Sequence, residues 1–158
     1  MAMILYDTID SPIGELLVAG DGHALTAVHM DGSPRPAWRR DTSALREATS
    51  QLRAYFAGEL REFDLPLTPA GTPFQREVWA ALREIPYGHT ISYAQLAAVV
   101  GRPGSARAVG AANGRNPIAV VIPCHRVIGA SGALTGYGGG LGRKRLLLDL
   151  EAGQRSWL

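Results

Sequence analysis

Residues 92–126 read SYAQLAAVVGRPGSARAVGAANGRNPIAVVIPCHR, and the order of elements in this stretch organises the half of the chain around it. Ser92 with Gln95 three residues on is a capping box. It opens a short helix with Leu96, Val99 and Val100 inward and Gly101 at its end. Arg102-Pro103-Gly104 turns the chain, and Ser105 stands where it caps a second short helix over 105–114. Two short helices joined by a tight Gly-containing turn predict a helix-turn-helix. After GRNP, the run IAVVI at 118–122 is continuously apolar, which predicts a strand buried on both faces that leads straight into Pro123-Cys124-His125-Arg126.

Upstream, Thr72 followed by Pro73 marks a helix start, and Phe74, Val78, Leu82 and Ile85 share one face until Pro86-Tyr87-Gly88 stops the pattern. Downstream, a last helix is predicted over 142–151. The stretch TPAG at 68–71 breaks both periodicities and reads as a linker, which puts a domain boundary near residue 70. Before it, MILYDTI, ELLVAG and HALTAVHM are short Val, Ile, Leu and Thr-rich runs that predict a three-stranded meander over 3–30. A loop over 32–41 follows, then a helix from Ser43 to Gly58 with Leu45, Ala48, Leu52, Tyr55 and Phe56 inward, and FDLPL as a closing strand. The expected fold is an α/β domain over 1–70, a small antiparallel sheet plus helix, joined to a mainly α domain over 71–158 that contains the helix-turn-helix.

The 158 residues, 46% hydrophobic and 19% charged, suffice for a core. No apolar run reaches the ~18 to 20 residues of a membrane span, and the start MAMILYDTIDSPIGE lacks the regions of a signal peptide, so a cytoplasmic protein with no membrane partner is expected. One cysteine, Cys124, excludes an intramolecular disulfide and multi-cysteine metal sites, and four scattered histidines add no ligand pair. No metal is expected. The charge is divided unevenly. Residues 1–70 carry six Arg against ten Asp and Glu, a net of −4, whereas residues 71–158 carry ten Lys and Arg against four Asp and Glu, a net of +6. A polyanion on the second half alone fits that asymmetry, as does solvated surface charge.

The second helix of the pair is thin. Ala106, Ala108, Gly110, Ala111, Ala112 and Gly114 leave Arg107 and Asn113 nearly alone as long polar side chains, too few for ordinary major-groove reading. Two explanations stand side by side: a slim helix pressing into a narrow groove, or small residues packing against another helix. Cys124 lies where the apolar run ends, with imidazole and guanidinium as its next two neighbours, both of which favour a thiolate. His125 is the adjacent base that a thiol nucleophile needs, with a water between them where the side chains do not touch. Seven glycines between 129 and 142 surround Tyr137, an arrangement that lets backbone approach a flat ligand while the ring covers it, or that forms a loose surface loop. Arg143, Lys144 and Arg145 at the start of the last helix, and Asp149 and Glu151 at its end, all oppose the helix dipole. The basic start fits a phosphate, and Glu151 fits the task of holding a histidine in its basic tautomer.

PCHRVIGASG, preceded by SARAVG and GRNP and followed by LTGYGGG and LLDLE, resembles the O6-alkylguanine-DNA alkyltransferases, the methylated-DNA–protein-cysteine methyltransferases. The likeness covers 72–153; residues 1–70 match only as a plausible small α/β partner. It implies direct-reversal repair without a cofactor. An alkylated guanine, or more weakly an alkylated thymine, is flipped from double-stranded DNA, and its alkyl group moves irreversibly to the protein's own cysteine. Cys124 then corresponds to the acceptor, and His125, through a water, with Glu151 to the relay that ionises it. Asn116 falls on the hinge asparagine that ties the recognition helix to the active-site loop. Arg107 falls on the arginine that fills the gap left by the flipped base, with Ser105, Ala106, Ala108 and Gly110 beside it in the minor groove.

By the same resemblance, Tyr93 crowds the target phosphate and protonates the departing base, Tyr137 is the pocket wall, and carbonyls of Cys124 and Val127 accept from the exocyclic amine of guanine. Gly138 stands where some members have serine, so a contact to the guanine oxygen there falls to its backbone amide. The cysteines that bind structural zinc in some members are missing. A monomer, with cooperation along DNA open, is the expected state. Two rival readings of the same residues are a helix-turn-helix regulator with Cys124 in its core, and a cysteine hydrolase using Cys124, His125 and Glu151.

Overall fold

A computed structural model describes residues 3–134, 137 and 139–153. The chain forms two compact units, 1–70 with 117–121, and 71–116 with 122–158.

In the first unit, β1 (Leu5–Ile9), β2 (Leu16–Gly20) and β3 (Leu25–Met30) form the expected antiparallel meander. Central β2, paired with β1 and β3, is buried at all five positions, so neither face of this strand is open to solvent. The sheet is nonetheless mixed, because β4 (Arg39–Arg40) joins it parallel to β1 in the order β3-β2-β1-β4. Arg40 donates to Asp7 at 3.0 Å, so a buried carboxylate on β1 holds the edge strand. Helix α1 (Arg46–Phe56) puts Ala48, Thr49, Leu52 and Tyr55 inward, and Leu45 just before it is also buried.

Two expected strands are absent as such. FDLPL makes only one bridge, Leu67 with Leu25, where Pro66 contributes a carbonyl to Leu25 N–H and has no N–H to return. IAVVI is not a strand: Ile118 bridges Val28, Ala119 donates to the Val28 carbonyl, and the chain then turns, with Val120 at φ 71°. Ile118, Val120, Val121 and Ile122 are still buried, and the pairing with Val28 places residues 117–121 in the first unit although the sequence reading put them in the second.

In the second unit, α2 (Pro73–Leu82) starts at a full capping box, Thr72 with Gln75. Its Trp79 donates Nε1–H to the Ala112 carbonyl at 2.8 Å. Strand β5 (Ile91–Ser92) runs into α3 (Tyr93–Val99), opened by the Ser92–Gln95 box, and α4 (Ala106–Gly114) completes the helix pair. Leu96 and Ala97 face inward and Val100 is half-buried, whereas Val99, expected inside, is 65% exposed because it lies off the helix face that Leu96 and Ala97 define. Ser105 precedes α4 without a side-chain cap bond, contrary to its expected role. A 3-10 turn, Cys124–Arg126, then leads into β6 (Val127–Ile128), parallel to β5, and α5 (Leu141–Glu151) closes the unit. Among the described residues no helix is long and apolar enough to cross a membrane.

Candidate active site

The second unit buries an unusual set of polar side chains. Asn113, His125, Arg126, Lys144 and Glu151 all lie at or below 6% exposure, and the reactive candidate Cys124 is at 7%. Buried charge is tolerated when paired and hydrogen-bonded, and that condition is met here. His125 Nε2 stands 2.7 Å from Glu151 Oε2. Arg126 grips the same carboxylate with Nε at 2.7 Å and Nη2 at 2.9 Å, and spends Nη1 on the Ile85 carbonyl. These partners hold the Glu151 carboxyl down to about 2 against the upward push of burial. Gly88 N–H also donates to Oε1 at 3.4 Å. Gly88 has φ +79°, and a Cβ there would meet the Glu151 carbonyl at 3.2 Å, so glycine suits both backbone and space.

An ionised carboxylate only accepts, so His125 Nε2 carries the proton and Nδ1 keeps the basic lone pair. Nδ1 is buried and has no hydrogen-bond partner among the described residues. Burial pushes the imidazole below its usual range, leaving it neutral and able to take a proton. Cys124 is pushed up by burial, opposed by a hydrogen bond from the Asn116 side chain and by the charge of Lys144. The thiol therefore needs a base to ionise. Of the two sequence neighbours credited with favouring a thiolate, Arg126 is turned away to Glu151 and does not act on the sulfur. Lys144, a residue the sequence reading assigned to phosphate, acts on it instead. Lys144 is fully buried and donates from Nζ to the Val127 carbonyl at 2.6 Å.

Asn116 donates Nδ2–H to the Ile122 carbonyl at 2.8 Å, tying the end of α4 to the loop that carries the sulfur. The Cys124 carbonyl, expected with that of Val127 to accept from guanine's exocyclic amine, already receives Val127 N–H and Asn113 Nδ2–H, so both of its lone pairs are engaged. The Val127 carbonyl likewise holds Lys144. Tyr137 has a buried hydroxyl without a partner among the described residues, and burial raises its pKa. Gly138 lies outside the described residues.

On α4, Arg107, Ala108, Ala111 and Gly114 are exposed along one stripe, while Val109, Ala112 and Asn113 point inward. Three of the small residues, Ala108, Ala111 and Gly114, thus face outward around Arg107, while Ala112 packs inward. Gly110 lies against Tyr93, whose ring a Cβ would meet at 3.5 Å, so these two expected DNA-facing positions sit together. Arg126 and Lys144 join this cluster in ways other than the sequence predicts, one on the Glu151 carboxylate and one on the Val127 carbonyl. Their signals were a guanidinium beside the histidine and a cation at the wrong end of a helix.

Two family models match the chain: the ribonuclease-like domain of 6-O-methylguanine DNA methyltransferase over residues 4–69, and the DNA-binding domain of that family over residues 73–153. The methylated-DNA–protein-cysteine methyltransferase of Mycobacterium bovis is 59% identical over 153 residues, covering 94% of this chain and 93% of that protein. That of Methanosarcina acetivorans is 52% identical over 151 residues, covering 92% and 97%. A crystal structure of Mycobacterium tuberculosis OGT in complex with DNA superposes with a TM-score of 0.90 at 58% identity, covering 95% of this chain and 94% of that one. The chain belongs to the methylated-DNA–protein-cysteine methyltransferase family.

Proposed function

We propose that this protein repairs O6-alkylguanine, and more weakly O4-alkylthymine, by transferring the alkyl group to Cys124 once per molecule. The observation that carries the reading is the buried pair His125–Glu151 beside the chain's sole cysteine: a neutral imidazole, fixed in the tautomer that leaves Nδ1 basic, in a site that keeps the thiol protonated until a base acts. In the step itself the Cys124 S–H proton passes through a water to His125, whose imidazolium Glu151 stabilises. The sulfur attacks the alkyl carbon in line, and the carbon–oxygen bond breaks as the carbon–sulfur bond forms. Tyr93 delivers a proton so that guanine leaves neutral. A displacement at saturated carbon builds no tetrahedral oxyanion, so no oxyanion hole is required. The thioether has no hydrolytic exit, and the protein is consumed.

DNA enters on the exposed stripe of α4, from the minor groove. Exposed Ala108, with the half-buried Ser105, Ala106 and Gly110 beside the stripe, allows close approach, and Arg107 occupies the gap left by the extruded base. Flipping costs a few kcal/mol, offset by that arginine and by stacking on Tyr137. Guanine's exocyclic amine is left with the second lone pair of the Val127 carbonyl.

The test is a titration of protein with excess duplex carrying O6-methylguanine labelled in its methyl group. One label retained per protein, followed by a stop, supports the reading. Continuing release points to a hydrolase, and no transfer points to a regulator; either result rejects it.

A further inference from the structure

Asn113 is a polar residue in a place where size alone would suit leucine. It sits on the inner face of α4 beside Val109 and Ala112, 2% exposed, and an amide there has two donor hydrogens and two acceptor lone pairs to satisfy. Among the described residues its side chain forms one hydrogen bond: Nδ2–H to the Cys124 carbonyl at 3.3 Å. Its Oδ1 is buried with no partner among the described residues. Packing gains nothing from that arrangement, since a half-satisfied amide is worse in a core than a hydrocarbon of equal volume. The one contact it makes is to the peptide that carries the sulfur.

That contact is half of a pair. Asn116, three residues on, donates to the Ile122 carbonyl, so the end of α4 reaches the chain on both sides of Pro123. Proline has no N–H, and backbone bonds there run within the turn itself, from Cys124 N–H to the Ile122 carbonyl and from Arg126 N–H to the Pro123 carbonyl, so the two asparagines supply its ties to α4. The Cys124 carbonyl is held further by Val127 N–H within the 3-10 turn, so Asn113 completes the fixing of the Cys124 peptide plane. The direction of the Cα–Cβ bond, and with it of the sulfur, follows from that plane.

We propose that Asn113 is a positioning residue: its amide, from inside the recognition helix, orients the Cys124 peptide so that the sulfur points for in-line attack. This rests on the alkyl-transfer reading of Cys124. Direction matters far more to displacement on a base clamped in a pocket than to reaction with a small freely tumbling reagent.

The experiment compares wild type with Asn113→Leu and Asn113→Asp, using two probes: a duplex oligonucleotide bearing O6-methylguanine at saturating concentration, and iodoacetamide. Expected for Asn113→Leu are a Tm equal to or above wild type, an iodoacetamide rate within about 2-fold, and transfer from DNA slowed about 10-fold or more. Asn113→Asp keeps the shape and supplies a donor only when protonated, so its transfer rate relative to wild type should recover as pH is lowered. It also provides the answer if the leucine variant does not fold. Transfer from DNA within about 2-fold of wild type in folded Asn113→Leu overturns the assignment, as does an equal fall with both probes, which would mean altered access or ionisation. So does an Asn113→Asp ratio flat with pH. A wild type that transfers nothing overturns the alkyl-transfer reading, and this assignment with it.

Discussion

The two units bury different things. In the first, β2 and the inner faces of β3 and α1 supply a hydrocarbon core in which Asp7 and Thr49 are the buried polar residues among those described. In the second, Asn113, His125, Arg126, Lys144 and Glu151 share the interior with Val78, Leu82, Leu96 and Leu147. Replacing a buried ionic cluster with hydrocarbon of similar volume is commonly neutral or stabilising, so the second core is not arranged for stability alone. It holds an imidazole, a carboxylate and a thiol in fixed relation, and a loss there should show in chemistry as well as in folding.

The sharpest break of this contrast is at the sulfur. Cys124→Ser should abolish transfer completely, in a labelled-methyl assay, while the fold persists. Next in size is Glu151→Gln, which leaves Arg126 buried without its carboxylate and deprives His125 of its orienting acceptor. Transfer should fall about 10²- to 10⁴-fold in single-turnover kinetics, and stability should drop by about 3–5 kcal/mol in urea melts. In the first unit, Leu17→Ala should cost a similar ~2–5 kcal/mol of stability through its cavity, with the transfer rate of the folded molecules unchanged. A comparable loss of rate in that variant would erase the contrast between the two cores.

On the DNA-facing stripe, Arg107→Ala should slow repair of a duplex lesion by roughly 10- to 100-fold, the value of a few kcal/mol spent on flipping, and leave reaction with a free alkylated base nearly unaffected. The smallest effect is in pH. The Glu151 carboxyl is lowered in the folded state, so its contribution to stability is present above its unfolded value near 4.5 and is lost as pH falls toward about 2. Acid melts of wild type should show that loss below pH 4.5, and Glu151→Gln should flatten it.

The second unit was the more legible of the two in sequence, for reasons that lie in local chemistry. Capping boxes at Thr72 and Ser92 depend on side chains three residues apart, so α2 and α3 start where the residues say. The meander was also plain, because Gly and Asp turns punctuate short runs rich in Val, Ile, Leu and Thr. Strand β4 was not, since two arginines acquire strand character only from lying beside β1. IAVVI misled for the converse reason: an apolar run reports burial and says nothing of backbone shape.

At the site, Cys124, His125 and Glu151 were readable from residue type and order. Asn116 and Tyr93 came from the resemblance alone. The direction of Arg126 and the burial of Lys144 required coordinates, because adjacent residues on a 3-10 turn point different ways and a lysine's charge can end a long stem's length from its Cα.

Mass spectrometry of the tryptic peptide spanning 116–126, after incubation with duplex DNA containing O6-methylguanine, asks the most direct question of this protein. The peptide should gain one CH2 unit, on Cys124, in proportion to the lesion lost. An unmodified peptide while the lesion disappears, or a methyl group found on any other residue, would contradict alkyl transfer to Cys124.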